Sequence, residues 1–300
     1  MKFLKEKGIK RTIFNIGKKG LLDAFKRKKN LIGEYYSRCV ALDAVFVGSD
    51  EVFSIEPGLN PFFWGMGVPA KHVFSYGGCF GPTDVDFIKK KYELEYIKAG
   101  INRFEKISVR VQNFQNIIFE LVRKKIDQVC DPVILYGYKK EKEDFKKPIS
   151  EKYLLVYAYD ENMNEQEEVY LIKKYAKEKN LKVITAGFYH KWCDQCVNVS
   201  PIQLLEWVLG AECVVTDTFH GTVMSMIMNT PFVTKIRGNR NKLGFLLKEY
   251  ELEDREISNF SNLNAILSKQ IDFKKLNDMM QKKREEGEKF ISQCIQEIKK

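Results

Sequence analysis

Two glycine signatures of nucleotide binding are absent. The sequence holds no Gly-x-Gly-x-x-Gly turn and no P-loop, and the run Gly77-Gly78-Cys79-Phe80-Gly81 has the wrong spacing for either. An apolar amino-terminal stretch is lacking too: charges recur from Lys2 to Arg11, so no secretory leader is expected. The longest central stretch without Lys, Arg, Asp or Glu, residues 218–234, is broken by His220, Asn229 and Pro231 and is too polar to span a bilayer. Histidine is scarce, with three in the chain, and the seven cysteines are an odd number without framework spacing. Cys130 and Cys213 sit in apolar runs, as small buried hydrophobes in a reducing compartment do. No internal repeat or low-complexity tract occurs. The expectation is a cytoplasmic protein, at most peripheral at the inner face of the plasma membrane.

What is present suits a large core: 44% of residues are hydrophobic and 13% aromatic, which excludes disorder as the main state. The formal charge is +10, yet residues 1–30 hold eleven basic and two acidic side chains, leaving the other 270 residues at +1. A nucleic-acid-binding body needs cations along its own groove, so nucleic acid is not expected as a partner. Within the basic segment and just beyond it, Leu21, Phe25, Ile32 and Tyr36 recur on one face of a helix. Two readings follow: a solvated helix covering the first domain, or a peripheral anchor on an anionic membrane surface through residues 1–30.

From about residue 43, short β-branched runs alternate with amphipathic helices. Strands are predicted at Ala44–Val47, His72–Ser75, Lys106–Val109 and Val129–Leu135, then at Lys152–Tyr159, Lys182–Ala186, Cys213–Thr216 and Phe232–Ile236. Ser200-Pro201-Ile202-Gln203 has the form of a capped helix start, and a long helix is predicted over Phe273–Ile298. The alternation predicts an α/β fold of two Rossmann-like parallel-sheet domains, with a cleft between them and a carboxyl-terminal helix. The division expected is a basic helical segment 1–42, a first α/β domain 43–140, a second Rossmann-like domain 151–255 and a helical region 256–300; the charged, Pro-containing stretch 139–150 reads as the linker.

Ligands of open parallel sheets bind beyond the carboxyl ends of strands, so the residues after each predicted strand are candidates. Gly48-Ser49-Asp50 follow the first, Tyr76 to Gly81 the second, Arg110 the third, Asp217 to Gly221 the run Cys213–Thr216, and Arg237 and Arg240 the last. Thr218 to Gly221 precede a helix predicted over Thr222–Met228, whose amino end suits an anion. His220 there could be a general acid, a base or a phosphate contact, or instead a capping or core histidine. Arg110 ends an apolar strand and needs a partner; an anionic ligand or a structural carboxylate such as Asp131 would serve equally. Asp50 and Asp217 could move protons or simply cap turns. Cys193-Asp194-Gln195-Cys196, with His190 nearby, lacks the second pair of a closed zinc site, so inert thiols and no metal are expected.

Six motifs in order resemble those of the polysaccharide pyruvyl transferase family. They stand here as Gly48-Ser49-Asp50-Glu51-Val52-Phe53, Ser75 to Gly81, Ile107-Ser108-Val109-Arg110-Val111, Val129-Cys130-Asp131-Pro132, Thr216 to Thr222, and Asn229-Thr230-Pro231-Phe232 with the stretch from Arg237 to Leu247. The resemblance runs from about Asp43 to Arg255. It implies a glycosyltransferase-B-like architecture and transfer of pyruvate from phosphoenolpyruvate onto sugar hydroxyls, as a ketal, in cell-surface polysaccharide biosynthesis. No cofactor is implied beyond phosphoenolpyruvate as donor substrate, and the acceptor would be a glycan or lipid-linked oligosaccharide. On this resemblance Arg110, His220, Gly221, Thr222, Arg237 and Arg240 would hold the donor, and Ser49, Tyr76 and Gly77 would face the acceptor. His220 would be the acid and Asp217 or Asp50 the base. Glu51, Phe53 and Val111 depart from the family's Gln, Trp and Glu, Thr218 stands where some members place an Arg, and the family's first strand-turn unit is replaced by the basic segment. These departures leave two alternatives, a nucleotide-sugar glycosyltransferase and a non-catalytic scaffold of polysaccharide assembly.

Overall fold

The computed structural model describes residues 8–31, 41–81, 83–90, 94–238 and 240–299. Its strands form two sheets. β1 (Leu42–Val47), β2 (Ala70–Gly78), β3 (Lys106–Val109) and β4 (Asp127–Gln128) lie in the order 1-2-3-4. β5 (Tyr153–Tyr157), β6 (Lys182–Ala186), β7 (Gln195–Val197), β8 (Cys213–Thr216) and β9 (Phe232–Thr234) lie in the order 7-6-5-8-9. Every pairing between these strands is parallel. A parallel sheet is covered on both faces, which is why Tyr153–Val156 and Cys213–Thr216 are buried at every position and read as continuous runs.

The chain divides into two compact units. One comprises the described residues of Met1–Gly33 with Tyr138–Asn277; the other comprises those of Glu34–Gly137 with Asp278–Lys300. The amino-terminal helix, Ile9–Lys28, therefore belongs to the unit of the β5–β9 sheet, whereas one reading of the sequence sets it on the first domain. Arg11 fixes it there through Asp160 at 2.9 Å and Glu161 at 2.6 Å, and Asn198 donates to the carbonyl of Phe14 at 2.9 Å. Of the predicted apolar face, Leu21 and Phe25 are half-buried, while Ile32 and Tyr36 lie outside the described residues. The helix Phe273–Ile298 gives residues from Asp278 onward to the first sheet's unit, where Phe290 and Cys294 join Phe74, Tyr76 and Val129 in one core.

The run predicted as a strand over Val129–Leu135 holds no strand: the two-residue β4 ends just before it, at Gln128, and the run leads into a short helix, Pro132–Tyr136. Asp131 caps that helix by accepting from the Val133 amide at 2.8 Å, Pro132 opens it, and Gly137 at φ 67° ends it. A short apolar run cannot by itself separate strand from helix, and here the cap and the proline decide. The stretch 139–150 begins with a helix, Lys139–Asp144, so the break between units falls at residue 137, ahead of the charged run. β7, which carries Cys196, was not foreseen. The capping box at Ser200 and Gln203 forms as its spacing predicts.

Candidate active site

The sheet order locates one crevice-forming point. β6 and β7 lie to one side of β5, β8 and β9 to the other, so strand order reverses between β5 and β8. The carboxyl ends of those two strands are where an open α/β sheet binds ligands. Tyr157 ends β5, and Asp217 to His220 follow β8. The first sheet runs in one direction from β1 to β4 and has no such reversal among its described strands.

After β8, the helix begins at Phe219, three residues earlier than predicted, which puts His220 inside its first turn. Thr218 is the cap: its hydroxyl accepts from the Gly221 amide at 2.9 Å and lies 3.1 Å from the Thr216 hydroxyl. Thr222 turns its hydroxyl inward to the Thr218 carbonyl at 3.1 Å and the Thr234 hydroxyl at 2.8 Å. Gly221 and Thr222, assigned to the donor by resemblance, thus spend these polar groups inside the unit. A Cβ on Gly221 would stand 2.2 Å from Thr216 Oγ1 and 2.8 Å from Tyr157 Cδ1, so only glycine lets the helix sit this close to the strand ends. Gly221→Ala is expected to lower stability by about 1–3 kcal/mol through this overpacking; an unchanged urea midpoint would show that the turn relaxes freely.

Beside this turn stands a charge cluster. Arg237 follows β9 and donates to Asp217 at 3.0 Å and to Glu168 at 2.9 Å, and Lys235 also bonds Glu168. Two cations and two carboxylates balance. Burial raises the Asp217 pKa, an effect opposed by hydrogen bonds from Asn162 and Arg237. Burial would lower the Arg237 pKa, but its bonds to Glu168 and Asp217 raise it on balance. Lys242, buried, holds its ammonium 5.0 Å from the centre of the Phe219 ring, which itself meets the His220 ring edge-on at 5.5 Å. Burial pushes the Tyr157 phenol up to about 12, so it stays protonated near neutral pH. Arg240 opens the helix Arg240–Glu249, and its side chain lies outside those described. Glu168 was missed from sequence, although Glu168, Ile172 and Ala176 recur every four residues as the buried face of one helix, and a carboxylate there requires a cation.

The remaining candidates lie in the other unit. Arg110 is 4% exposed and donates to Asp131, to Asp50 at 2.7 Å and to Cys79 Sγ at 3.1 Å. The structural carboxylate named from sequence, Asp131, is among these partners. Gly77, at φ 61°, lies over the Arg110 stem, where a Cβ would be 3.1 Å from Arg110 Cγ. Tyr76, read as an acceptor-side residue, is a core side chain 6.1 Å from the Phe290 ring with its hydroxyl 3.9 Å from Cys130 Sγ. Ser49 is half-buried and Asp50 exposed. Phe53 and Val111, two of the departures from the family pattern, are fully buried; the Phe53 ring packs tilted at 5.0 Å from Trp64 and 5.4 Å from Phe80, so its replacement of Trp belongs to the core.

The cysteine pair is held for structural reasons. His190 is buried with Nε2 3.0 Å from the Ala158 carbonyl, Cys196 donates to the His190 carbonyl at 3.3 Å, and burial drives both thiol pKa values up. Among the described residues no group of three or more His, Cys, Asp or Glu side chains is arranged to hold a metal.

A family model described as polysaccharide pyruvyl transferase matches residues 1–236. The chain belongs to the polysaccharide pyruvyl transferase family. The match of this pyruvyl transferase family member takes in the basic segment ahead of Asp43, of which Ile9–Lys28 form a helix. No curated protein matches its sequence. Its fold is similar to the trehalose-6-phosphate phosphatase N-terminal domain of Candida albicans, at 10% identity and a TM-score of 0.51, over 93% of this chain and 74% of that one. It is also similar to a Listeria monocytogenes protein named as a candidate UDP-N-acetylglucosamine 2-epimerase, at 13% identity and 0.53, over 90% and 73%. The fold is that of the two-Rossmann-domain, glycosyltransferase-B-like proteins with a carboxyl-terminal helix, and the family is one of transferases.

Proposed function

We propose that the protein transfers pyruvate from phosphoenolpyruvate to two hydroxyls of a sugar in a glycan or lipid-linked oligosaccharide, forming a ketal and releasing phosphate. Family membership carries this reading, and the turn holding His220 at the reversal point of the second sheet supports it. The donor methylene gains a proton and becomes a methyl group. One sugar oxygen bonds the donor's central carbon, a second displaces phosphate, and each hydroxyl gives up a proton. His220 is the acid in this proposal. Arg237 and Lys242 are the cations nearest this turn, Arg240 is kept as a donor contact on the family resemblance alone, and Arg110 is assigned to holding the first unit together. Asp217 is the preferred base over Asp50, because burial raises its pKa and so its basicity.

A second reading, glycosyl transfer from a nucleotide sugar, is favoured by the architecture alone. Thermal-shift titration separates the two. Phosphoenolpyruvate is expected to raise the melting temperature and uridine diphosphate to leave it unchanged. The reverse result would establish the nucleotide reading, and no response to either, with no phosphate released in the presence of acceptor glycan, would leave a scaffold.

A further inference from the structure

The helix Ile9–Lys28 has two apolar sides. One is seated on the β5–β9 unit: Phe14 meets Tyr189 at 5.6 Å, and the Lys18 ammonium stands 4.5 Å from the centre of the Phe188 ring. At about 100° per residue, Arg11, Phe14 and Lys18 share this side with Leu21 and Phe25. On the opposite side Ile9, Ile13 and Ile16 are 68%, 65% and 68% exposed. They recur at i, i+4 and i+7, a stripe that Gly20 and Ala24 extend without bulk until Arg27, on the same line as Ile9, ends it. By the same geometry Lys10 and Lys28 border one edge of the stripe and Lys19 and Lys26 the other. The helix carries one acidic residue, Asp23, already bonded to Lys19 at 2.8 Å, and three basic residues in its last turn.

We propose that the Ile9-Ile13-Ile16 stripe is a membrane-contact face that lies in the interface of an anionic bilayer, with the lysines along its edges on lipid headgroups. A second copy of the chain is the poorer occupant. Two such helices face to face would bring like charges together along both edges, whereas an anionic surface complements them. The face differs from the one the sequence pattern marks, because Leu21 and Phe25 fall on the side seated against protein. Since Arg11 ties the helix to the unit that carries His220, the same contact would hold that unit at a lipid surface. Lipid binding through this face does not depend on which group the enzyme transfers.

Sedimentation of the full-length protein with phosphatidylcholine vesicles, with and without about 30% phosphatidylglycerol, tests it. Binding is expected only with phosphatidylglycerol and is expected to be lost in about 0.5 M salt. Ile9→Ser/Ile13→Ser/Ile16→Ser should weaken it about tenfold or more with an unchanged melting temperature, because these side chains touch solvent in the folded protein. Lys10→Glu/Lys19→Glu/Lys26→Glu should abolish it. Absence of binding, equal binding to neutral vesicles, or undiminished binding by the triple serine variant would each overturn the proposal. So would a dimer in solution that the serine variant converts to monomer.

Discussion

His220→Ala is expected to lower the rate of phosphate release from phosphoenolpyruvate by about 10²–10⁴-fold, the span of a general acid's contribution, with little change in melting temperature. The turn that holds His220 is built by other residues. Thr218 caps the Gly221 amide, Thr222 closes on Thr234, and Gly221 permits the approach to Thr216, so the helix start survives loss of the imidazole. A second substitution decides what the imidazole does. His220→Gln keeps a hydrogen-bond donor without a group that exchanges protons near neutral pH. If His220 is the acid, the glutamine enzyme loses kcat and keeps KM; if His220 only grips the donor, KM rises and kcat is largely retained. Arg237→Met should move both constants, KM through the lost grip on the anionic donor and kcat through the lost bond to Asp217, the base. A His220→Ala enzyme that is folded and fully active would remove the histidine from the mechanism.

What the sequence reveals of this structure depends on the range of the interaction. β3, β6 and β8 match their predicted runs residue for residue, because continuous β-branched stretches bounded by polar turns leave little else to form. Ser200 and Gln203 satisfy each other within one turn, so their geometry follows from spacing. The stretch Val129–Leu135 failed for a local reason that was equally visible: Asp131-Pro132 with Gly137 five residues on is a helix cap, opening and stop, and outweighs the β-branched residues between them. The ion partners were of another kind. Arg237 and Glu168 are 69 residues apart, and Arg110 and Asp50 are 60 apart. Sequence establishes that a cation at the end of an apolar strand must be paired, but the choice of carboxylate waits for the order of strands in the sheet. The same holds for the amino-terminal helix. Its amphipathic spacing was legible, while the unit that it joins was fixed by Asp160, Tyr189 and Asn198, far along the chain.

Asp131→Ala is expected to cost the unit built on β1–β4 about 3–5 kcal/mol, a fall in its melting temperature on the order of 10 °C. Asp131 is 3% exposed and Arg110 4%, so removing the carboxylate leaves a guanidinium in the core with weaker compensation. Burial alone would lower the Arg110 pKa, and Cys79, Asp131 and Asp50 more than reverse it, so the arginine stays charged and cannot escape the penalty by losing its proton. Asp50 offers partial cover from a side chain that is 53% exposed. Removing Asp50 should accordingly cost little, within about 1 kcal/mol, because a water-facing partner is largely screened. Asp131→Asn separates two duties of the residue: it retains an oxygen to cap Val133 but gives up the charge, so it should fall between Asp131→Ala and the native protein. The double variant Arg110→Met/Asp131→Leu then tests what the pair is for. Replacing both members of a buried pair by apolar groups of similar size removes the desolvation cost along with the attraction. If Arg110 serves the fold, the double variant should recover most of the lost stability and still show a thermal shift with phosphoenolpyruvate. A stable double variant that no longer responds to phosphoenolpyruvate would return Arg110 to the donor site.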